Sequence, residues 1–165
     1  MSRNLLSEIF LLSKDVITAG LKTGATVATA ESCTGGLIGA AITATPGSST
    51  VFHGGIIAYH NSVKINQLAV EKTAIDGHGA VSEIVAKQMA QGCRERLNVD
   101  IAVSVTGVAG PGGGSAEKPV GTVWIGLAHG DEVTAKLHNF PNQTRNKVRD
   151  YTCLAALETL LKALN

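Results

Sequence analysis

The sequence has 165 residues, a length at which a domain buries roughly 70% of the surface of its unfolded chain, enough for a core without metal or disulfide support. Its 14 Lys plus Arg stand against 13 Asp plus Glu with no long run of either sign, so neither a nucleic-acid stripe nor a membrane patch is expected and small-molecule partners are. Cys33, Cys93 and Cys153 are far apart and odd in number, which argues against a disulfide framework or a thiolate zinc site and fits a reducing cytoplasm.

Leu5, Leu6, Ile9, Phe10, Leu12, Val16, Ile17 and Leu21 fall on one broad face at helical spacing, which predicts an amphipathic helix over residues 3–22 ending near Gly24. No apolar segment reaches membrane-spanning length, so a soluble, untargeted chain is expected. Thr26 to Ala30 is small or β-branched and predicts a buried strand. Leu37, Ile38, Ala41 and Ile42 then recur at helical spacing to about Ala44, which makes Glu31 to Gly36 a strand-to-helix turn. Pro46 to Ser49 is a loop, and Val51 to Tyr59 is a strand whose Gly54 and Gly55 suggest a bulge or a close backbone approach. His60 to Lys64 reads as a short helix capped by Asn61 or Ser62, with Ile65, Leu68 and Val70 turned inward.

Residues 71–81 are a connector containing Gly77 and Gly79. Ser82 caps a helix that buries Ile84, Val85, Met89 and Leu97. Asp100 to Thr106 is a buried strand ending in Ser104, Val105, Thr106 and Gly107, an echo of Ser32 to Gly35. If the two strands are parallel, both turns share the carboxyl edge where open α/β sheets bind ligands. Val108 to Pro119 is the longest irregular segment, Val120 to Ala128 and Val133 to Phe140 form a hairpin around Gly130 and Asp131, and a last helix capped near Asn142 to Thr144 buries Val148, Leu154, Ala155, Leu157, Leu160 and Leu161. One domain over residues 1–165 is expected, a three-layer α/β fold with a central mixed sheet flanked by helices.

The turn at Glu31 to Gly36 offers free backbone N–H groups and the positive end of a helix dipole to a phosphate, a carboxylate or a developing oxyanion, with Ser32 or Cys33 beside it; the same residues also suit a plain helix cap. The glycine-rich loop from Gly107 to Pro119 lacks both the phosphate-loop motif and the dinucleotide fingerprint. Ser115 and Lys118 formally match a Ser-x-x-Lys signature, but Pro119 and the preceding glycines oppose the helical turn that would join them. Cys33 has no recognisable histidine partner, and His53, His60, His78, His129 and His138 show no metal spacing, so no metal and no cofactor are expected.

Four blocks carry a resemblance: Ala30 to Gly36, Tyr59 to Lys64, Gly79 to Ser82, and Gly107 to Trp124. In order and over nearly the whole chain they resemble the CinA carboxy-terminal domain family, whose enzymatic members are nicotinamide-nucleotide amidases. The resemblance implies metal-free hydrolysis of nicotinamide mononucleotide to nicotinate mononucleotide and ammonia. It places the family's proposed nucleophile on Ser32, its lysine on Lys64 and its tyrosine on Tyr59. Lys64 must be desolvated or lie near another cation to act as a base, because a free lysine has a pKa of about 10.4. Tyr59 would relay a proton or hold Lys64, and backbone amides around Cys33, Thr34 and Gly35, or Thr106 and Gly107, would receive the oxyanion. Thr34, Gly35, Gly36, Thr106 and Gly107 are thus candidate substrate contacts. Gly112, Gly113, Ser115 and Lys118 of the loop would hold phosphate or ribose, with Arg145 a second phosphate candidate. An amidase for another small amide, and a non-catalytic nucleotide-binding module, are the alternatives. A homo-oligomer remains open.

Overall fold

The computed structural model describes residues 4–165. Its elements run α1 (Leu5–Thr23), β1 (Val27–Glu31), α2 (Leu37–Thr43), α3 (Ser48–Val51), β2 (Phe52–Ile57), α4 (Asn61–Leu68), α5 (Lys72–His78), α6 (Glu83–Leu97), β3 (Ile101–Gly107), β4 (Thr122–His129), β5 (Glu132–Asn139) and α7 (Arg145–Leu164). The five strands form one mixed sheet in the order β2-β1-β3-β4-β5. β1 is parallel to both β2 and β3, while β3, β4 and β5 are successively antiparallel. The carboxyl ends of β1, β2 and β3 therefore share one edge.

Strand alternation divides the core in two. On one face Val27, Ile101, Val103, Val105, Val123 and Ile125 meet α1, α2 and α7 through Ile9, Val16, Ile17, Ile38, Ile42, Val148, Leu157 and Leu160. On the other, small residues such as Ala28, Ala30 and Ala102 let helices approach closely, and Val85, Met89 and Cys93 of α6 and Leu68 of α4 fill that side. Ser104 donates to the Ala86 carbonyl of α6 (2.6 Å), and opposite it Gly126 leaves the same carbonyl room that a Cβ would take. Among the described residues no helix is long and apolar enough to cross a membrane.

The predicted mixed sheet with helices on both faces is observed, and so is the parallel pairing that puts both small polar turns on one edge. The register of β2 against β1 shifts between Val27 and Ala28, with Phe52 and Gly54 as successive partners, so the expected bulge is observed; the space at Gly55 is taken by the Thr29 side-chain hydroxyl, which a Cβ would overlap, rather than by a backbone.

Other details differ. The start of the first helix at residue 3 lies outside the described residues, and its buried stripe is narrower than expected. Leu5, Ile9, Val16 and Ile17 are inside with Ser13 and Gly20, whereas Leu6, Phe10 and Leu21 are exposed. Ser13 is tolerated there because its hydroxyl donates to the Ile9 carbonyl (2.8 Å). Val51 ends the short helix α3 rather than opening a strand. The connector over 71–81 contains the seven-residue helix α5, with Gly77 inside its last turn and Gly79 closing it at φ 77. The cap of α4 is His60, not Asn61 or Ser62: its ψ of 150 keeps it extended, and its imidazole accepts from the Ser62 amide (3.2 Å). Ile84 is exposed on α6, and Ile65, Leu97, Leu154 and Leu161 are only half-buried.

Candidate active site

The site grows from the end of β1. Glu31 is the last strand residue, and its side chain turns under the following loop, where its carboxylate accepts from Thr29 Oγ1 (3.2 Å), Thr34 Oγ1 (2.7 Å) and the amides of Gly36 (3.0 Å), Ile38 (3.1 Å) and Gly39 (2.8 Å). This carboxylate caps α2, a position where a short polar side chain is more usual. Ser32 comes next, its amide held by the Val105 carbonyl of β3 (3.0 Å), while the Ala58 amide past β2 donates to the Glu31 carbonyl (2.8 Å). The serine is thereby fixed at the carboxyl edge between two neighbouring strands.

Lys64 reaches it from α4. The i, i+4 spacing stacks Lys64 above Leu68 on the inner face of that helix, and both side chains are 1% exposed. Lys64 Nζ donates to Ser32 Oγ (3.1 Å), to the Ala58 carbonyl (2.8 Å) and to the Tyr59 carbonyl (3.3 Å). These three partners suit either protonation state. An ammonium donates to all three; a neutral amine gives its two N–H groups to the carbonyls and turns its lone pair to the serine hydroxyl, which then becomes the donor. Burial lowers the Lys64 pKa from the ordinary lysine value, with the nearby Cys33 sulfur opposing the shift. Burial also pushes the Cys33 thiol up to about 12, which leaves it a packed, inert group.

A cavity of about 200 Å³ opens above this pair, lined by Ser32, Cys33, Tyr59, Asn61, Lys64, Ala80, Val81, Thr106, Gly107, Ala109 and Arg145. Thr106 is itself anchored, its hydroxyl donating to the Ala80 carbonyl (2.8 Å). Arg145, at the first turn of α7, donates to the Gly110 carbonyl (2.7 Å) and to the Tyr59 hydroxyl (2.9 Å), and so ties the glycine-rich loop to the segment leaving β2. A larger hollow of about 620 Å³ lies between β4, β5 and α7, but none of the candidate residues lines it.

The amides near Ser32 divide into engaged and open groups. Gly35 donates to the Ser32 carbonyl (3.1 Å) and Gly36 to Glu31, whereas those of Cys33 and Thr34 donate to no other residue among the described ones. On β3, Val105 turns its carbonyl toward β1, so alternation points the Gly107 amide the same way, past the end of β1; Val108 donates instead to Thr122 (2.9 Å). The Cys33 and Thr34 amides are thus the uncommitted donors of the turn, and the Gly107 amide faces the same edge from β3.

Of the sequence-derived candidates, Ser32, Lys64, Tyr59, Thr106, Gly107 and Arg145 meet around the cavity, and Thr34, Gly35, Gly36, Gly112, Gly113, Ser115 and Lys118 do not line it. The Thr34 hydroxyl is engaged by Glu31. Lys118 donates to the His78 carbonyl at the end of α5, and its amide is held by the Ser115 hydroxyl (3.0 Å), so this stretch of loop braces itself against α5. Gly112, Gly113 and Ser115 are exposed. Two residues escaped the sequence reading. Glu31 stands in the recognised block and at the start of the expected turn but carries no assigned role there, and Arg149 donates to the Thr34 carbonyl (2.8 Å) across 115 positions. A carboxylate interrupting an otherwise small and apolar strand was the one available signal for Glu31; Arg149 offered none.

Fold and site together define a three-layer α/β protein with a serine–lysine pair at the carboxyl edge of its parallel strands. The chain belongs to the CinA C-terminal domain family, whose model matches residues 11–164. A CinA-like protein of Chlorobaculum tepidum is 55% identical over 117 residues, 71% of this chain and 28% of its own length. A CinA-like protein of Salinibacter ruber is 50% identical over 142 residues, 86% of this chain and 34% of its own length. The crystal structure of a competence/damage inducible protein from Agrobacterium tumefaciens matches with a TM-score of 0.93 at 41% identity, covering 96% of both chains. The chain spans about a third of the length of the curated relatives it matches.

Proposed function

We propose that the chain is a metal-independent serine–lysine amidohydrolase that converts nicotinamide mononucleotide to nicotinate mononucleotide and ammonia. The observation that carries this reading is the buried Lys64 amine 3.1 Å from the Ser32 hydroxyl at the floor of a cavity. Lys64 takes the hydroxyl proton as Ser32 Oγ attacks the carboxamide carbon, and the oxyanion is received by the Cys33, Thr34 or Gly107 amides. The protonated lysine returns the proton to the departing ammonia, and water then releases the acid by the same route. Tyr59 holds Lys64 through its carbonyl, while its hydroxyl accepts from Arg145 on the cavity wall. Arg145 is the cation on the cavity wall and the favoured anchor for the nucleotide phosphate, ahead of the braced Lys118 and Ser115.

Structural relatives are named for competence and damage induction, which is a circumstance and not a reaction. The test is ammonia release from purified protein given nicotinamide mononucleotide, with free nicotinamide as control and a chelator present. Release from the nucleotide alone supports the amidase. Release only from other small amides moves the substrate, and silence from a folded sample favours a binding module.

A further inference from the structure

Charged side chains grip the turn that carries Ser32 from two sides. Glu31 lies beneath it, 1% exposed, with its carboxylate saturated by five donors. Three of those donors are main-chain amides of the α2 amino terminus, so the positive end of that helix is answered from inside the protein and is closed to an anionic ligand. Arg149 lies beside the turn, and its guanidinium donates to the Thr34 carbonyl (2.8 Å). The Gly35 amide on the same peptide donates to the Ser32 carbonyl (3.1 Å). The peptide joining Thr34 to Gly35 is therefore held at both ends, and Thr34 is held a third time through its hydroxyl. Only the Cys33 and Thr34 amides of the turn are left pointing elsewhere.

We propose that Glu31 and Arg149 form a clamp that preorganises the oxyanion site next to Ser32; both are positioning residues, and the inference rests on the serine–lysine reading above. An oxyanion site is effective only when its donors are in place before the charge develops, and a turn of small residues and glycines would not hold two amides still by itself. The clamp supplies that rigidity from the strand end and from the last helix at once.

The test uses two variants and two readouts. Glu31→Gln keeps the side-chain size but sets an NH₂ against main-chain donors, and Arg149→Met keeps the apolar stem of a half-buried residue while removing its donors. Each is expected to lower kcat for ammonia release about 10- to 100-fold while leaving KM within about twofold, as displaced oxyanion donors do. The acid limb of the pH profile should stay in place, because neither residue touches Lys64. Arg149→Lys should recover part of the rate. The second readout is labelling by a fluorophosphonate, in which Ser32 Oγ bonds phosphorus, fluoride leaves and the hydroxyl proton passes to Lys64. Its rate should fall with kcat while the final extent of labelling stays complete.

Unchanged kcat and labelling rates in both variants would overturn the clamp. So would a loss of labelling extent that follows a fall in Tm, since that marks a merely structural role. If the wild type is labelled at Ser32 but releases no ammonia, the substrate reading fails and the labelling rates alone decide the clamp. If it does neither, the serine–lysine reading and the clamp fall together.

Discussion

In the proposed reaction Lys64 would have to meet two opposed demands, for a base must lose its proton near neutral pH yet must also hold it during turnover. Burial supplies the first, and the carbonyls of Ala58 and Tyr59 supply the second by accepting from either form. Ser32→Ala and Lys64→Arg should each lower ammonia release by roughly 10³-fold or more, the arginine because it stays protonated. In the wild type, kcat/KM should rise with pH through a midpoint below the ordinary lysine value of 10.5. The same shift predicts a stability effect. The unfolded chain binds the lysine proton more readily, so stability rises with pH between the folded and unfolded pKa values, and the cost of burying the charge is complete below the folded one. Lys64→Met removes this titration. Its stability relative to wild type should therefore improve steadily as pH falls from 10.5 toward neutral, measured by urea unfolding at a series of pH values; a pH-independent difference would mean the lysine is not perturbed.

At the scale of elements, the fit of α4 against α6 places the lysine. A Cβ at Gly92 of α6 would overlap the Leu68 carbonyl of α4, one turn below Lys64. Gly92→Ala should cost about 1–3 kcal/mol through overpacking and should lower kcat as well, since the strain is relieved by moving α4. Gly77 of α5 is the contrast, with nothing within 4 Å of a Cβ and no left-handed φ. Gly77→Ala should stabilise by about 0.5–1 kcal/mol with activity unchanged. Thermal or urea unfolding beside an activity assay separates the two. The same glycines show where local reading stops. Gly77 and Gly79 look alike in sequence and suggested a loop, yet one is inside a helix and the other closes it. The difference lies in Ala74 and Ile75, which find cover on the fold and make a short helix worthwhile. His60 was missed as a cap because histidine is a weak local signal, and it caps only because the exit from β2 leaves it extended.

Across the whole molecule, two cores share one sheet, so neither face can loosen without exposing the back of the other. Leu160→Ala on the α7 side and Met89→Ala on the α6 side should each cost about 2–5 kcal/mol. Both should keep a single unfolding transition, coincident by Trp124 fluorescence and far-UV circular dichroism. Separate transitions would show that the two layers fold apart.

Periodicity alone determined most of the element order, the mixed α/β class and the two small polar turns at strand ends, because each of those depends on neighbours within a few residues. The resemblance of four blocks then singled out Ser32, Lys64 and Tyr59. Only the tertiary structure decided that Ser32 and Lys64, 32 positions apart, lie 3.1 Å from each other, that Lys118 braces a loop while Arg145 lines the cavity, and that Glu31 and Arg149 grip the turn. Those facts depend on the strand order β2-β1-β3 and on α7 crossing back to the turn, and long-range placements of that kind leave no local pattern to read.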